Sequence, residues 1–256
     1  MFSHEPRCEY RSNPLGEVIC QLRFPEILTI GTTVPDQFQE TIRAEFPQFS
    51  RRMEPPVPGF PINPALRKQE PTVNYQFASS DGVWRVNLTS KFISLACSCY
   101  TCWEDFAGKL DKPLAAFIQI YQPAYFERVG LRYINFISRG ALGIPGTPFR
   151  ELINPCYLGL LAEEEILESA CTRSSLDTEL SIRGGCRANI HAGPGLIARN
   201  GQRDKEIKFI FDQDLYMPGQ VPVNLSAGAL QTLHSQAWSI FRGAITQKLH
   251  EAMEPR

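Results

Sequence analysis

Residues 91–121 read KFISLACSCYTCWEDFAGKLDKPLAAFIQIY, and their hydrophobic period changes in the middle. In the first part, Ile93, Leu95, Cys97 and Cys99 alternate with Ser94, Ala96 and Ser98, which is the two-residue period of a β-strand. From about residue 102 the apolar residues recur every three or four positions and form one helical stripe: Trp103, Phe106, Leu110, Leu114, Phe117, Ile118 and Tyr121. The stretch therefore predicts a strand that leads directly into a long helix.

Strands with the same two-residue period lie on both sides of this junction. In chain order they are LGEVICQLRF (15–24), TVNYQFAS (72–79), VWRVNLTS (83–90), FERVGLRYINFIS (126–138) and KEIKFIFDQDLY (205–216). Ser80, Asp81 and Gly82 supply a hairpin turn between two of them. A second long helix is predicted from about residue 226 to residue 253.

The two long helices share one spacing of large apolar residues. The first has Trp103, Phe106, Leu110 and Leu114, and the second has Trp238, Phe241, Ile245 and Leu249. We therefore expect an α+β fold in which antiparallel sheets are each covered by a long helix. Because any stripe of this spacing looks partly alike, the match leaves open whether the two halves are structurally similar. A Gly/Pro-rich junction (140–148) places the halves at 1–140 and 141–256.

Residues 47–71 are rich in proline and are predicted to form a loop. Pro55, Pro58, Pro61 and Pro64 recur every three residues, which matches one edge of a polyproline II helix. Such a segment can bind an aromatic-lined groove of another protein. The favoured interpretation is a connection that cannot join a sheet, because proline lacks the backbone donor.

Composition excludes several broad classes of function. The 256 residues include 26 basic and 27 acidic side chains, so there is no global field to attract nucleic acid or an anionic membrane. The first residues contain no apolar h-region, and no apolar run approaches the roughly 20 residues that span a bilayer. We expect a cytoplasmic protein without a membrane partner.

Eight cysteines are present, and three of them cluster at Cys97, Cys99 and Cys102. Zinc requires four ligands, and the nearest further pair, Cys186 and His191, lies far along the chain. A metal site and a redox thiol in the first turn of the helix remain alternatives. The favoured interpretation is buried, structural thiols.

An arginine-rich strand is the second candidate site. Arg128 and Arg132 flank Gly130 on one strand face, where they could hold a phosphate or carboxylate together with the adjacent Tyr133 and Asn135. The favoured alternative pairs the arginines with carboxylates of neighbouring strands, Glu17 among them.

Asp212 and Asp214 are the third candidate, since they share one strand face at a spacing that could hold Mg²⁺. No third carboxylate is placed beside them by the sequence, so aspartates that face water are the favoured interpretation.

Familiar catalytic motifs are absent from the sequence: there is no Walker loop, G-x-G-x-x-G after a strand, H-E-x-x-H or G-x-S-x-G. This favours a non-catalytic interaction or accessory protein without a cofactor, whose partner is another protein or a second copy. One alternative is an anion- or nucleotide-binding protein or enzyme that uses Arg128 and Arg132 with Asp212 and Asp214. Another is a nucleic-acid-binding accessory protein that uses Arg183, Arg187, Arg199 and Arg203.

Two stretches carry a resemblance to a known group of proteins. Residues 13–25 (NPLGEVICQLRFP) and 128–135 (RVGLRYIN) resemble a sporadically distributed, functionally uncharacterised bacterial family of about this length. Its members also end in a W-x-x-F-x-x-x-I-T helix, which corresponds here to Trp238, Phe241, Ile245 and Thr246. The resemblance implies no activity, cofactor or catalytic residue. The patchy distribution of the family is typical of mobile accessory genes, such as those of defence or toxin–antitoxin systems.

Overall fold

The computed structural model describes residues 2–54, 72–199 and 202–256. The strands are β1 (Leu15–Arg23), β2 (Gln48–Glu54), β3 (Thr72–Ala78), β4 (Trp84–Leu88), β5 (Phe92–Cys97), β6 (Phe126–Ile137), β7 (Leu176–Ser181), β8 (Arg187–Gly195), β9 (Ala198–Arg199), β10 (Gln202–Arg203) and β11 (Lys208–Val221). The α-helices are α1 (Leu28–Thr32), α2 (Asp36–Ile42), α3 (Trp103–Tyr121), α4 (Ser226–Ala244) and α5 (Gln247–Ala252). Short 3-10 helices occupy Phe149–Glu151, Pro155–Tyr157, Gly159–Ala162, Glu168–Ala170, Arg183–Gly185 and Val223–Leu225. Helices and antiparallel strands occur together, so the α+β class is confirmed.

The chain divides into two compact units that are not contiguous in sequence. The first unit contains Met1–Val18, Gly130–Pro218 and Ala227–Arg256, and the second contains Ile19–Val129 and Gly219–Ser226. The strands β1 and β6 each begin in one unit and end in the other. The junction at 140–148, which composition suggests as a boundary, lies inside the first unit.

In the second unit the strands lie in the order β2-β3-β4-β5-β1. Neighbours from β2 to β5 are antiparallel. The helix α3 contacts this sheet through its apolar stripe: the ring of Phe106 lies 5.8 Å from that of Trp84 in β4, and the ring of Phe117 lies 4.6 Å from that of Phe24, which follows β1. Ring pairs at these separations gain stability beyond the burial of their area.

The strand β2 corrects the prediction of a loop at 47–71. Proline is absent from residues 48–54, and Phe49 stacks on Tyr75 and packs against Phe77 of β3, which supplies the partner strand that local composition does not reveal. The prolines Pro55, Pro58, Pro61 and Pro64 lie outside the described residues.

In the first unit the strands lie in the order β1-β6-β11-β8-β7. The helix α4 contacts this sheet, since Phe241 lies 6.1 Å from Phe211 of β11 and His234 lies 6.1 Å from Tyr133 of β6. The N-terminal segment runs along α4, where the backbone N–H of Ser3 donates to the carbonyl of Ser239 and the indole N–H of Trp238 donates to the carbonyl of Glu5.

The predicted helix from 226 to 253 is broken at Ile245 and Thr246. Ile245 forms a β-bridge with Ile153, and the backbone N–H of Thr246 donates to the carbonyl of Leu152. The hydroxyl of Thr246 then accepts a hydrogen bond from the N–H of Leu249 and caps α5. The stripe matched between the two long helices is therefore continuous in α3 but not at the C-terminus.

Candidate functional site

The strand β11 separates a buried face from an open face in the first unit. Phe209, Phe211, Gln213 and Leu215 are buried, whereas Asp212, Asp214 and Tyr216 between and beyond them are partly exposed. This alternation follows from the two-residue period of a strand that is covered by apolar contacts on one side. It carries both aspartates to the open face.

The register of the strands assembles charged side chains on this open face. Asp177, His191 and Asp212 form one row across β7, β8 and β11, and Glu179, Asn189 and Asp214 form the next. Together with Arg132, Thr178 and Ile190 they line a shallow depression of about 460 Å³. We refer to Arg132, Asp177, Glu179, His191, Asp212 and Asp214 as the charged face.

Arg132 and Asp212 form a bidentate ion pair on the charged face. The Nε and Nη2 atoms of Arg132 donate to the two carboxylate oxygens of Asp212 at 2.8 and 2.5 Å. Hydrogen bonding to Asp212 raises the pKa of Arg132, and the charges of Asp214 and Glu17 add to this effect. The Asp212 side chain is only 14% exposed, so the pair is partly removed from water. The guanidinium fork is thus matched by a carboxylate of the protein itself.

The outer rows of the charged face carry more exposed carboxylates. His191 Nδ1 lies 2.7 Å from an oxygen of Asp177, whose side chain is 72% exposed. Glu179 accepts a hydrogen bond from the Tyr216 hydroxyl at 2.6 Å, which lowers the pKa of the Glu179 carboxyl, and it lies 3.4 Å from Arg187. Four carboxylates therefore face two guanidinium groups, and the surface has an acidic excess.

Two of the residues predicted to form an anion site lie away from Arg132. Tyr133 and Asn135 lie on the buried face of β6, where the Tyr133 hydroxyl is 2.6 Å from Nδ1 of His234 and the Asn135 amide donates to the carbonyl of Phe211. Arg132 lies on the opposite face of the strand, so it does not share a site with Tyr133 and Asn135. The favoured alternative, pairing with a carboxylate of a neighbouring strand, describes Arg132, with Asp212 as the partner.

The three clustered cysteines occupy different environments. Cys97 ends β5 and is buried, Cys99 lies beyond the strand and is exposed, and Cys102 is the N-cap residue of α3. Cys99 therefore does not continue the buried face as its spacing predicts. Within residues 2–54, 72–199 and 202–256, no three His, Cys, Asp or Glu side chains are grouped so as to hold a metal ion, and both oxygens of Asp212 contact Arg132.

Burial predicts a clear order of thiol reactivity. It raises the pKa of Cys97 to about 11 and that of Cys20 to about 12, so almost no thiolate is present at these positions near neutral pH. We expect iodoacetamide at pH 8 to label the exposed Cys99 and Cys156 first, and Cys20 and Cys97 only after unfolding in urea. Peptide mass spectrometry measures the order, and labelling of Cys97 in the folded protein as fast as Cys99 would contradict it.

The four arginines proposed to bind nucleic acid do not form a described patch. Arg183 is exposed, and Arg187 pairs with Glu179 on the acidic surface. The side chains of Arg199 and Arg203 lie outside the part of the chain that the structure describes.

Sequence reasoning missed Asp177 and Glu179 and placed His191 only in a weak metal pair. Their proximity to Asp212 depends on the register of β7, β8 and β11, which no local pattern reveals. The alternation of polar residues in LDTELS (176–181) and RANIH (187–191) is the signal that could have placed each set on one strand face.

A second depression is lined by the start of the first resemblance stretch (13–25) and by Phe136, which directly follows the second (128–135). The backbone N–H of Phe136 donates to the carbonyl of Pro14, and both residues line a depression of about 500 Å³ with Leu15, Gly16 and Lys208. A Cβ atom on Gly16 would lie 2.2 Å from the Phe136 ring, so only glycine permits this close approach. Pro14 and Gly16 therefore pack against Phe136 in the first unit.

No protein-family model matches the chain, and no curated protein matches its sequence significantly. In the described parts of the chain, none of the helices has the length and apolar character needed to span a membrane. The geometry of the charged face is therefore the basis for the function proposed below.

Proposed function

We propose that the protein is a non-catalytic interaction protein that binds a positively charged segment of a partner protein through the charged face. The observation that carries the proposal is the acidic excess on an open sheet face, where carboxylates from β7 and β11 line one depression. Complementary charge across an interface steers association and selects partners.

The exposure and the ion pairing of the carboxylates favour a cationic ligand. Asp177 and Glu179 are 72% and 53% exposed, so a lysine or arginine of the partner reaches them without displacing the Arg132–Asp212 pair. An anionic ligand of Arg132, by contrast, would leave the mostly buried Asp212 without its cation, which is costly. This difference favours the interaction protein over the anion-binding alternative.

We place this activity in a bacterial cytoplasmic system, with an accessory role in defence or toxin–antitoxin function. The support is the resemblance of residues 13–25 and 128–135 to a patchily distributed bacterial family. The acidic excess does not favour the nucleic-acid-binding alternative, because phosphate contacts require unpaired basic groups.

We further propose that the two units are structurally similar halves, each with a sheet covered by a long helix. The order of elements supports this proposal. In the second unit, β1 is followed in the chain by β2, which lies at the outer edge, then by β3, β4 and β5, of which β5 lies beside β1. The helix α3 comes next. In the first unit, β6 is followed by β7, which lies at the outer edge, then by β8 and β11, of which β11 lies beside β6. The helix α4 comes next.

The proposal is tested with a fluorescent peptide of alternating lysine and threonine, which models a basic extended segment. We expect saturable binding at low salt, measured by fluorescence anisotropy, that weakens as salt rises because exposed charges are screened. A peptide of alternating glutamate and threonine should not bind.

A matched pair of variants locates the binding surface. The double variant Asn189→Lys/Asp214→Asn adds one positive charge and removes one negative charge inside the depression, a net change of +2, and should weaken binding at least about tenfold, the equivalent of roughly 1.4 kcal/mol. The variant Glu164→Lys makes the same net change of charge at an exposed position outside the depression and should bind as the unaltered protein does. Equal binding by both variants, or equal binding of the acidic peptide, would refute the proposal.

A further inference from the structure

Two strands are edge strands, namely β2 in the second unit and β7 in the first. Among the described residues, neither strand has a partner on its outer side. The outer edge of such a strand presents unpaired backbone donors and acceptors, and another chain can add to it as a further strand.

The two edge strands carry opposite charge. On β2, Arg51 and Arg52 are exposed, and on β7, Asp177 and Glu179 are exposed. Pairing of β7 with another β7 about Thr178 would place Asp177 opposite Glu179. Pairing of β2 with another β2 about Arg51 would place arginine opposite arginine. Like charges directly opposite one another destabilise an antiparallel pair. Pairing of β2 with β2, or of β7 with β7, of a second copy is therefore disfavoured.

One register between β2 and β7 places opposite charges together on one face of the strands and apolar side chains together on the other. When Asp177 lies opposite Arg52 in an antiparallel pair, the period of two places Leu176 opposite Met53 and Leu180 opposite Phe49. Phe49 and Met53 are 44% and 58% exposed, which is high for large apolar side chains, and Leu176 and Leu180 are partly exposed. Glu179 then lies diagonal to Arg52, within reach of its long side chain.

We propose that copies of this chain associate head to tail, with β2 of one copy pairing antiparallel with β7 of the next and Asp177 facing Arg52. The opposite charges attract only in this heterotypic arrangement, and the pair buries the exposed Phe49 and Met53. The contact is heterologous, and one such contact between two copies leaves one β2 edge and one β7 edge to which further copies can add. This inference goes beyond the proposed function, because the occupant is a second copy and the contact is a sheet edge.

The test is a charge swap in the full chain, read by sedimentation velocity over a range of protein concentrations. We expect the weight-average mass of the unaltered protein to rise above twice the monomer mass at high concentration. Arg52→Asp and Asp177→Arg should each remain monomeric, because each places like charges in the pair. The double variant Arg52→Asp/Asp177→Arg, and an equimolar mixture of the two single variants, should both recover the association.

An unaltered protein that stays monomeric, or single variants that associate as it does, would overturn the inference. A double variant and a mixture that both remain monomeric would overturn it as well, since circular dichroism confirms beforehand that each variant is folded. Arg52 belongs to the second unit and does not line the charged face, so Arg52→Asp should bind the lysine–threonine peptide normally. The variant Arg52→Asp therefore distinguishes a failure of self-association from a failure of partner binding.

Discussion

Replacing Phe211 by alanine is expected to lower the free energy of unfolding by about 3–5 kcal/mol, because the substitution leaves a cavity under β11. The Phe211 side chain is 1% exposed. Its ring lies 5.2 Å from that of Tyr157 in an edge-on arrangement and 6.1 Å from that of Phe241 on α4. Equilibrium urea unfolding followed by circular dichroism measures the loss.

The variant Phe211→Leu is the matched control, since it retains most of the apolar volume and should cost clearly less than alanine. Because Asp212 and Asp214 are carried by the same strand, Phe211→Ala should also weaken binding of the lysine–threonine peptide. A loss of less than about 1 kcal/mol for the alanine variant would mean that this contact does not hold β11 against α4.

The strands were predictable because a period of two is a local property. In β1 and the residue that follows it, the alternation of Val18, Cys20, Leu22 and Phe24 predicts the buried face, and all four are at most 1% exposed. In β11, the same reasoning places Phe209 and Phe211 in the core and both aspartates on the opposite face. It fails for Ile207, which is 49% exposed because it precedes the first residue of the strand.

The pairing of Arg132 could be predicted in kind but not in detail. The strand pattern predicts a carboxylate of a neighbouring strand as the partner, with Glu17 among the candidates. The bidentate partner is Asp212, 80 residues further along the chain, and the charge of Glu17 has a smaller effect on the pKa of Arg132. Which strands are neighbours is decided by long-range packing, and no local pattern in β6 specifies β11.

The break between α4 and α5 shows how tertiary contacts override a helical stripe. Ile245 and Leu249 continue the spacing of Trp238 and Phe241, so the sequence predicts one helix. The carbonyl of Leu152 accepts the N–H of Thr246, and this bond replaces an intrahelical one. The threonine cap compensates by accepting from Leu249, and both Ile245 and Leu249 remain buried.

Gly193→Ala is expected to destabilise the first unit by about 1–3 kcal/mol, the usual cost of overpacking a closed site. A Cβ atom on Gly193 would lie 2.5 Å from the carbonyl oxygen of Ser174 and 3.1 Å from Cα of Ser175. Both are backbone atoms of the segment that leads into β7, so they cannot rotate away and β8 or this segment must shift.

Gly195→Ala is the matched control, two residues along the same strand. Its Cβ atom would meet the Cδ1 atom of Ile210 at 2.6 Å, and that terminal methyl group can move by a change of rotamer. Thermal unfolding should therefore show a larger loss for Gly193→Ala. Amide hydrogen exchange should show reduced protection of Leu176–Ser181 in that variant alone, because the shift separates β7 from β8. Equal losses of thermal stability in the two variants would contradict this explanation. A loss of amide protection confined to β7 would also predict weaker self-association through the β7 edge.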